Sequence, residues 1–326
     1  MPLPIAGDPQ RDDSPDAAVV VVNYRTPNLV ERCLASVRAT QGGLDLQIVV
    51  IDNASGDGSA ARLRQSLPDA TVVELEANRG FAAGVNAGFR HTSAEFVVVL
   101  NPDTELAPGA LAQLLGRLRE HPRTAVVAPL LEHADGRLAP NGYRRFPGLF
   151  TIALDLCIPL GYARLATRLP HPAAMSPAAL RAGARPAWVC GAAMAIRRAA
   201  YAQAGDLDED FFLYFEETEF QQRLARCGWT VELAPGATAR HLLRGGGAEA
   251  LAHSPHFLAS ALRYLRMRGV PVAVSRAVLA VSLALSWLGL RLIACLPAKR
   301  AQAGEQARAY RELLGLALRG TAAPRG

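Results

Sequence analysis

Short apolar runs alternate with amphipathic stretches over the first 130 residues of the chain. Five runs, at 19–22, 46–51, 71–75, 97–100 and 125–128, are short and mainly apolar, which predicts buried strands. Apolar residues at 30, 33, 34 and 37, and again at 111, 114, 115 and 118, recur with the period of a helix that buries one face. This alternation predicts an α/β fold with a mostly parallel central sheet and flanking helices.

Polar side chains gather where the predicted strands end. In parallel sheets, ligands bind beyond the carboxyl ends of the strands, so these side chains predict a nucleotide-binding crevice. No glycine-rich GxGxxG follows the first strand and no GxxxxGK[ST] occurs, which argues against a dinucleotide-dependent dehydrogenase and a P-loop NTPase. The residues at the strand ends are Asn23, Tyr24, Asp52, Asn53, Asn78, Arg79, Asn101 and Asp103.

The stretch FVVVLNPDTEL, residues 96–106, combines a buried strand with nearby carboxylates. Pro102 ends the strand because proline lacks an N–H and restricts the residue before it. Asp103 and Glu105 follow at once, and carboxylates at such a place can hold a hard cation that in turn holds a diphosphate. The competing interpretation is an ordinary Asn-Pro-Asp turn.

A second acidic cluster follows the aromatic run FFLYF. Glu216, Glu217 and Glu219 stand at a predicted helix start, where the helix dipole would keep carboxylates ionised. An ionised carboxylate near a substrate hydroxyl can act as a general base. The competing interpretation is helix capping by solvated charges. His241 lies further on, and a lone histidine is also compatible with a purely structural role.

Between residues 139 and 186, seven prolines interrupt every periodic pattern, and no regular fold is predicted there. Order returns at WVCGAAMAIRR, residues 188–198, which predicts a strand running into a helix start.

The composition assigns the basic character of the protein to its C-terminal segment. From residue 276 onward there are eight Arg or Lys and two Asp or Glu, a surplus equal to the net charge of +6 of the whole chain. The main domain is therefore neutral, which argues against nucleic-acid binding and favours contact of the tail with an anionic membrane. Five cysteines without CxxC spacing argue against a disulfide framework and a structural zinc site.

The tail is predicted to be helical. HFLASALRYLRMRG indicates a basic helix, and 270–296 is strongly apolar, although its uncharged stretch from 277 to 290 is shorter than the roughly 20 residues of a membrane span. An interfacial or docking helix is favoured over a transmembrane helix, with a helix packed on the protein as the third option. The expected organisation is a disordered leader at 1–16, a catalytic domain at 17–247 and a basic, apolar helical segment at 248–326.

Six segments in order give the chain a family resemblance: VVVVNYRTPNLVERCLASV, VVIDNASGDGS, NRGFAAGVNAG, LNPDTEL, WVCGAAMAIRR and FFLYFEETEFQQRLARCGW. They resemble the family 2 glycosyltransferases, especially the rhamnosyltransferase-like branch. The resemblance implies a GT-A fold and an inverting transfer from a nucleotide-diphosphate sugar, assisted by a divalent cation, Mg²⁺ or Mn²⁺.

The resemblance also assigns roles to individual residues. Glu217 falls at the position of the catalytic base. Asp103 and His241 fall at metal-binding positions, with Glu105 or water as alternative partners of Asp103. The acceptor side is assigned to Trp188, Gly191 and Glu216. The donor side is assigned to Asn23, Tyr24, Asp52, Asn53, Asn78, Gly80, Asn86 and Asn101.

Two positions depart from the usual family pattern. The acidic motif is Asn-Pro-Asp and not two carboxylates around one residue, and the base is glutamate where aspartate is more usual. The resemblance makes dTDP-rhamnose the first donor to consider, ahead of UDP- or GDP-sugars, and a cell-envelope or lipid-linked glycan the acceptor, at the cytoplasmic face of the plasma membrane. The competing functions are a sugar-nucleotide pyrophosphorylase, which would need a basic glycine-rich loop after the first strand, and a non-catalytic nucleotide-sugar binding protein.

Overall fold

The computed structural model describes residues 14–139, 142–157, 171–242, 254–296 and 300–319. The predicted leader lies almost entirely outside the described residues, as do both ends of the predicted tail. A single eight-stranded sheet forms the centre of the protein. Its order across the sheet is β3 (Ala70–Glu74), β2 (Leu46–Asp52), β1 (Ala17–Asn23), β4 (Phe96–Leu100), β9 (Ala193–Arg197), β6 (Thr124–His133), β10 (Thr230–His241) and β5 (Thr104–Leu106).

The predicted parallel core is confirmed, because β3, β2, β1 and β4 pair in parallel, as do β6 and β10. Two strands run the other way. β9 inserts antiparallel between β4 and β6, and the short β5 pairs antiparallel with the end of β10. The residues of β1 and β4 are buried throughout, as expected for strands that are covered on both faces.

Helices cover both faces of this sheet. In α4 the predicted leucine face is buried. In α3, Gly84 and Gly88 face β1, and a Cβ at either position would lie 2.6 or 2.3 Å from a γ-carbon of Val22 or Val20. These two glycines therefore allow α3 to pack closely on β1. The helices of this region are α1 (Pro27–Thr40), α2 (Ser59–Ser66), α3 (Phe81–Arg90), α4 (Ala110–Glu120), α7 (Arg198–Ala204) and α8 (Glu216–Arg226).

The proline-rich excursion contains short elements that the sequence did not predict. They are β7 (Tyr143–Arg144), α5 (Leu149–Leu156) and α6 (Pro177–Arg181). The strand predicted within 188–198 is divided at 190–192 into β8 (Trp188–Val189) and β9, and β9 runs directly into α7. β7 and β8 form a separate antiparallel pair. α5 forms because its apolar residues have a surface to cover, since Ile152 and Leu156 are buried against the C-terminal helices.

The predicted helical tail consists of α9 (Pro255–Met267), α10 (Val272–Ile293) and α11 (Arg300–Arg319). These helices form a second hydrophobic core, and Phe211 and Phe215 of the FFLYF run belong to it. The hydrophobic core of the tail thus includes side chains from the loop before α8. Within the described residues, α10 is the one helix whose length and composition would allow it to cross a membrane.

Candidate active site

The carboxyl ends of β1 and β2 meet in a hydrogen-bonded cluster around Asp52. Asn23 and Asp52 are partners in the strand register, and Asn23 Nδ2 donates to Asp52 Oδ2 at 2.6 Å. Ser55 donates its backbone N–H to Asp52 Oδ1 at 2.8 Å and its hydroxyl to Oδ2 at 2.7 Å. Asp52 is fully buried, and its hydrogen bonds to Ser55 fix the loop after β2. The adjoining Tyr24 is 40% exposed. This cluster thus orders the strand ends and leaves an aromatic ring open beside them.

Asn53, Asn78 and Gly80 are also brought together. Asn53 Nδ2 donates to Asn78 Oδ1 at 2.9 Å and to the Gly80 carbonyl at 3.0 Å. Gly80 has φ 88° and ψ 179°, a conformation reserved almost entirely for glycine. A Cβ there would lie 2.1 Å from the carbonyl oxygen of Phe212, to which the N–H of Phe81 donates at 3.1 Å. The predicted donor segment is therefore fastened to the FFLYF run.

Asn86 has a different position from the other predicted donor residues. Its Nδ2 donates to the Leu207 carbonyl and to Glu209, and its Oδ1 accepts from the Tyr201 hydroxyl and the Leu207 N–H, all at 2.9 to 3.0 Å. The side chain is buried and all of its hydrogen-bonding groups are used. Asn86 therefore positions the loop that leads to α8, and no free group of its amide faces a donor.

Asp103 and His241 meet beyond the carboxyl end of β4, where β5 pairs with the end of β10. Pairing of β5 with β10 sets His241 opposite Thr104, and the Leu242 N–H donates to the Asp103 carbonyl at 2.9 Å. Asp103 Oδ1 and His241 Nε2 are 3.1 Å apart and both side chains are mostly buried. Glu105, the alternative partner, binds Arg32 at 2.7 Å instead. The structure thus supplies His241 as the neighbour of Asp103.

The Asp103–His241 pair fits part of a divalent cation site. Two adjacent ligands of an octahedral cation with bonds of about 2.1 Å lie roughly 3.0 Å apart, close to the separation observed here. Carboxylate oxygen and imidazole nitrogen are both ligands of Mn²⁺-like ions, and such ions often take their remaining ligands from substrate phosphates and water. Among the described residues no three or more His, Cys, Asp or Glu side chains cluster as a metal site, so a cation would need those outside ligands.

The turn before α8 presents the second acidic cluster. Tyr214 and Phe215 both have φ of 70°, which is unfavourable for bulky residues, and the two carboxylates follow directly at Glu216 and Glu217. Arg25 and Ala54, in the loops after β1 and β2, have φ of 57°. These four are the non-glycine residues with left-handed φ in the described part of the chain, and all lie beside the predicted site. Such strain concentrates at functional sites.

Burial, and not the helix dipole, dominates the acid–base properties of this pair. Desolvation raises the pKa of Glu216 well above its usual value, and the negative charge of Glu217 raises it further. Desolvation also raises the pKa of Glu217, although N–H groups of Glu217, Gly191 and Thr218 counteract part of the effect. Burial therefore outweighs the helix dipole in setting the direction of both pKa shifts, which is the opposite of the direction expected from the helix start alone.

Trp188 of β8 and Gly191, two of the predicted acceptor-side residues, lie on the segment that faces α8. The Gly191 N–H donates to the Glu217 carboxylate. Gln221 of α8 donates to the Val189 carbonyl at 2.7 Å and accepts from the Val189 N–H at 2.8 Å. Trp188, the residue before Val189, is half-buried and donates its indole N–H to the Arg145 carbonyl at 3.2 Å. Gln221 thereby fixes β8 against the helix that carries Glu217.

Cys190 connects the two acidic clusters in space. Burial raises the pKa of its thiol to about 12, and the charges of Glu217 and Asp103 both contribute. The Asn101 N–H donates to the Ala192 carbonyl at 2.9 Å, which joins the end of β4 to the same segment. Asp103 and Glu217, far apart in sequence, therefore lie around one short segment between β8 and β9.

Comparison with known proteins decides the family. The sequence profile of the protein family described as Glycosyl transferase family 2 matches residues 18–180, which is half of the chain. The chain belongs to glycosyltransferase family 2. This glycosyltransferase is 28% identical over 236 residues to the N-acetylglucosaminyl-diphospho-decaprenol L-rhamnosyltransferase of Mycobacterium tuberculosis, covering 68% of this chain and 75% of the relative.

Solved structures confirm the predicted GT-A fold. The mannosyltransferase PcManGT from Pyrobaculum calidifontis, in complex with GDP-Man and Mn²⁺, matches with a TM-score of 0.56 and 18% identity, covering 98% of this chain and 90% of that one. GalNAc-T7 with UDP, GalNAc and Mn²⁺ matches with a TM-score of 0.56 and 16% identity, covering 80% of this chain and 52% of that one. At these identities the likeness shows the fold alone.

Sequence reasoning missed several residues that shape the site of this glycosyltransferase. Ser55 holds Asp52, and Gln221 holds β8, yet each is a common polar residue without a motif of its own. From the tail, Arg263 of α9 binds Asp208 and Asp210 at 2.7 Å each, and the Ser260 hydroxyl donates to the Leu213 carbonyl at 2.9 Å. The signal available in the sequence was the opposite charge of two separate segments, the acidic DLDED run at 206–210 and the basic helix at 255–267.

Proposed function

We propose that this glycosyltransferase moves a sugar from a nucleotide-diphosphate donor to an acceptor hydroxyl in one displacement with inversion. The observation that carries the proposal is that Asp103 and Glu217, far apart in sequence, both lie close enough to the buried Cys190 for their charges to act on its thiol. One carboxylate is suited to the diphosphate side and the other to the acceptor side. A single displacement needs a base but no covalent nucleophile on the protein.

Glu217 is the proposed general base. Its Oε2 is buried and has no hydrogen-bond partner among the described residues, so no protein group competes with an acceptor hydroxyl for this oxygen. The Gly191 N–H holds the carboxylate in place. A pKa raised by burial moves the base closer to the working pH, where proton transfer is most effective. Trp188 and Glu216 are proposed to line the acceptor side.

Asp103 and His241 are the proposed holders of a divalent cation, Mg²⁺ or Mn²⁺. When bound, the cation would neutralise charge that develops on the leaving diphosphate. The pair lies beyond β4, on the side of the sheet where Asn101 ends that strand. Two solved glycosyltransferases of the same fold contain Mn²⁺, which supports this cofactor.

The donor nucleotide is proposed to bind over the ends of β1 and β2. Tyr24 offers an exposed aromatic face on which a base can stack. Asp52 and Asn23 keep the loops on either side of that face fixed through their hydrogen bonds. We take dTDP-rhamnose as the first donor to test because the relative from Mycobacterium tuberculosis is a rhamnosyltransferase, and UDP- and GDP-sugars as the next.

The same relative, whose name specifies a diphospho-decaprenol acceptor, makes a lipid-linked glycan the acceptor we propose. A lipid-linked acceptor would place this protein at the cytoplasmic face of the plasma membrane. The basic, apolar tail is compatible with that location.

A nucleotide-sugar screen tests this function. Purified protein is mixed with dTDP-rhamnose, UDP-sugars and GDP-sugars, each with Mg²⁺ or Mn²⁺, and its melting temperature is measured. A ligand that binds the folded state stabilises it by RT ln(1 + [L]/Kd), so the ranking of shifts ranks the donors. We expect one nucleotide-diphosphate sugar to shift the melting temperature in a cation-dependent manner and to be transferred to a polyprenyl-diphosphate acceptor. Absence of any shift, or a shift without transfer to any acceptor, would contradict a transferase.

A further inference from the structure

The outward face of α10 is apolar along its length. Its inner face packs Leu279, Leu283 and Leu290 into the tail core. Between residues 277 and 290 the helix has no charged residue. A surface helix of a soluble protein normally turns a polar face to water, so this face is unusual. Its exposed residues, at spacings that form one stripe along a helix, are Val274, Val281, Leu285, Leu288 and Leu292.

α10 and the residues directly after it carry most of the large hydrophobic side chains that are exposed among the described residues. Eleven large hydrophobic side chains are exposed, and seven of them lie on α10 or directly after it. Val281 is 60% exposed and Leu292 66%. Contiguous apolar patches of this kind mark interaction surfaces with proteins or membranes.

α11 prevents α10 from crossing a bilayer. The two helices lie side by side and antiparallel, because Arg276 near the start of α10 donates through Nε to the Ala317 carbonyl near the end of α11 at 2.7 Å. A spanning α10 would carry α11 into the hydrocarbon with it. Each ionisable residue at the centre of a membrane helix costs about 2.5–3.5 kcal/mol or more. α11 has six charged residues: Arg300, Glu305, Arg308, Arg311, Glu312 and Arg319.

The net positive charge of the tail favours an anionic partner. The described residues from 254 to 319 include nine arginines and two glutamates. Each basic residue near an anionic membrane surface contributes about 1 kcal/mol of attraction. A second copy of the chain would instead bring two strongly basic tails together, and like charges disfavour that contact. An anionic bilayer is therefore the occupant that can bury the apolar stripe and also attract the basic tail.

We propose that α10 lies in the plane of an anionic phospholipid bilayer, with the stripe from Val274 to Leu292 at the boundary between headgroups and acyl chains. The helix neither spans the bilayer nor forms a contact between two copies. The inference deepens the proposed function, and rests on it only in that a lipid-linked acceptor gives the contact a purpose. Because Phe215 belongs to the same tail core, docking would hold the turn before Glu217 at a fixed height above the membrane.

Vesicle co-sedimentation of the purified full-length protein tests the surface. Vesicles are made of phosphatidylcholine alone or with 30% phosphatidylglycerol. We expect strong binding to the anionic vesicles and at least tenfold weaker partitioning for the Leu285→Gln/Leu288→Gln double variant. Both side chains are about half exposed, so the melting temperature should change little. Arg308→Glu should also weaken binding, whereas Arg137→Glu, an equal charge change at a residue 86% exposed in the turn after β6, should not.

Four results would overturn the proposal. The first two are no binding of the wild type to anionic vesicles, and unchanged binding of both the double variant and Arg308→Glu. The third is retention of the protein in the membrane after alkaline carbonate extraction, which would indicate a span. The fourth is a wild-type dimer that the double variant converts to a monomer. If the double variant is unstable, Arg308→Glu against Arg137→Glu still decides. Donor binding is measured separately without lipid, so failure of the transferase proposal and failure of the docking proposal are distinguishable.

Discussion

The contact between Gly80 and Phe212 joins the donor segment to the turn that presents Glu217, and Gly80→Ala tests it. The new Cβ would lie 2.1 Å from the Phe212 carbonyl oxygen, so the backbone at Phe212 must move. That movement also weakens the hydrogen bond from the Phe81 N–H to the same oxygen. The turn leading to Glu216 and Glu217 starts at this residue, so we expect both stability and turnover to fall.

A matched control separates the contact from backbone strain. Gly205 has φ 80° and ψ 170°, close to the 88° and 179° of Gly80. The nearest atom to a Cβ at Gly205 is Arg223 Nη1 at 3.6 Å, an ordinary contact. Both alanine variants therefore bear the same strain of about 1–3 kcal/mol. Gly80→Ala adds overpacking of about 1–3 kcal/mol and a lost hydrogen bond of about 0.5–1.5 kcal/mol.

We therefore expect Gly80→Ala to lower the free energy of unfolding by roughly 2–4 kcal/mol more than Gly205→Ala does. Urea denaturation of both variants measures the difference, and kcat with a saturating donor measures the effect on the turn. Equal midpoints and equal kcat values for the two variants would refute the coupling of these loops.

Three further predictions follow from the same geometry. Asp103→Asn should reduce Mn²⁺ affinity at least tenfold, as measured by electron paramagnetic resonance of the free ion. Glu105→Gln should not reduce it, since Glu105 binds Arg32, and equal affinities of the two variants would exclude Asp103 as a ligand. Burial raises the pKa of Glu217, so kcat/KM should increase with pH through a value above that of an ordinary glutamate; a limb at the ordinary value would contradict the effect of burial. Arg263→Ala should lower kcat several-fold, because it frees the Asp208–Asp210 loop. The free energy of unfolding should fall only by the worth of a surface ion pair, about 0–1 kcal/mol. An unchanged kcat would show that α9 does not position the base.

The regular part of the sheet could be predicted because its strands are continuous apolar runs. β1 and β4 are buried on both faces, so nearly every residue in them is apolar and the pattern is unambiguous. β10 shows the limit of this reasoning. Its strand-like sequence pattern is limited to 230–233, because Pro235 and Gly236 interrupt the pattern. The strand continues past a register shift to His241, and that extension brings His241 to Asp103.

The fine structure of the site depended on contacts between distant segments. The position of β9 between β4 and β6 follows from pairing with residues about 100 and 70 positions away. The pKa direction of Glu216 and Glu217 was wrong because a sequence shows a helix start but not how deeply it is buried. The salt bridge from Arg32 to Glu105 likewise joins residues 73 apart, and nothing local marks either of them.

The central claim, that Glu217 is the general base of an inverting glycosyltransferase, is tested most directly by Glu217→Gln. The matched control is Glu219→Gln, on the same helical turn, because Glu219 binds Arg223 at 2.9 Å and has no proposed part in the chemistry. The measurement is the single-turnover rate of transfer at saturating donor and acceptor, together with the donor Kd. We predict that Glu217→Gln lowers the rate about 10²–10⁴-fold with an unchanged donor Kd, while Glu219→Gln keeps transfer near the wild-type rate. Near wild-type transfer by Glu217→Gln would contradict the account.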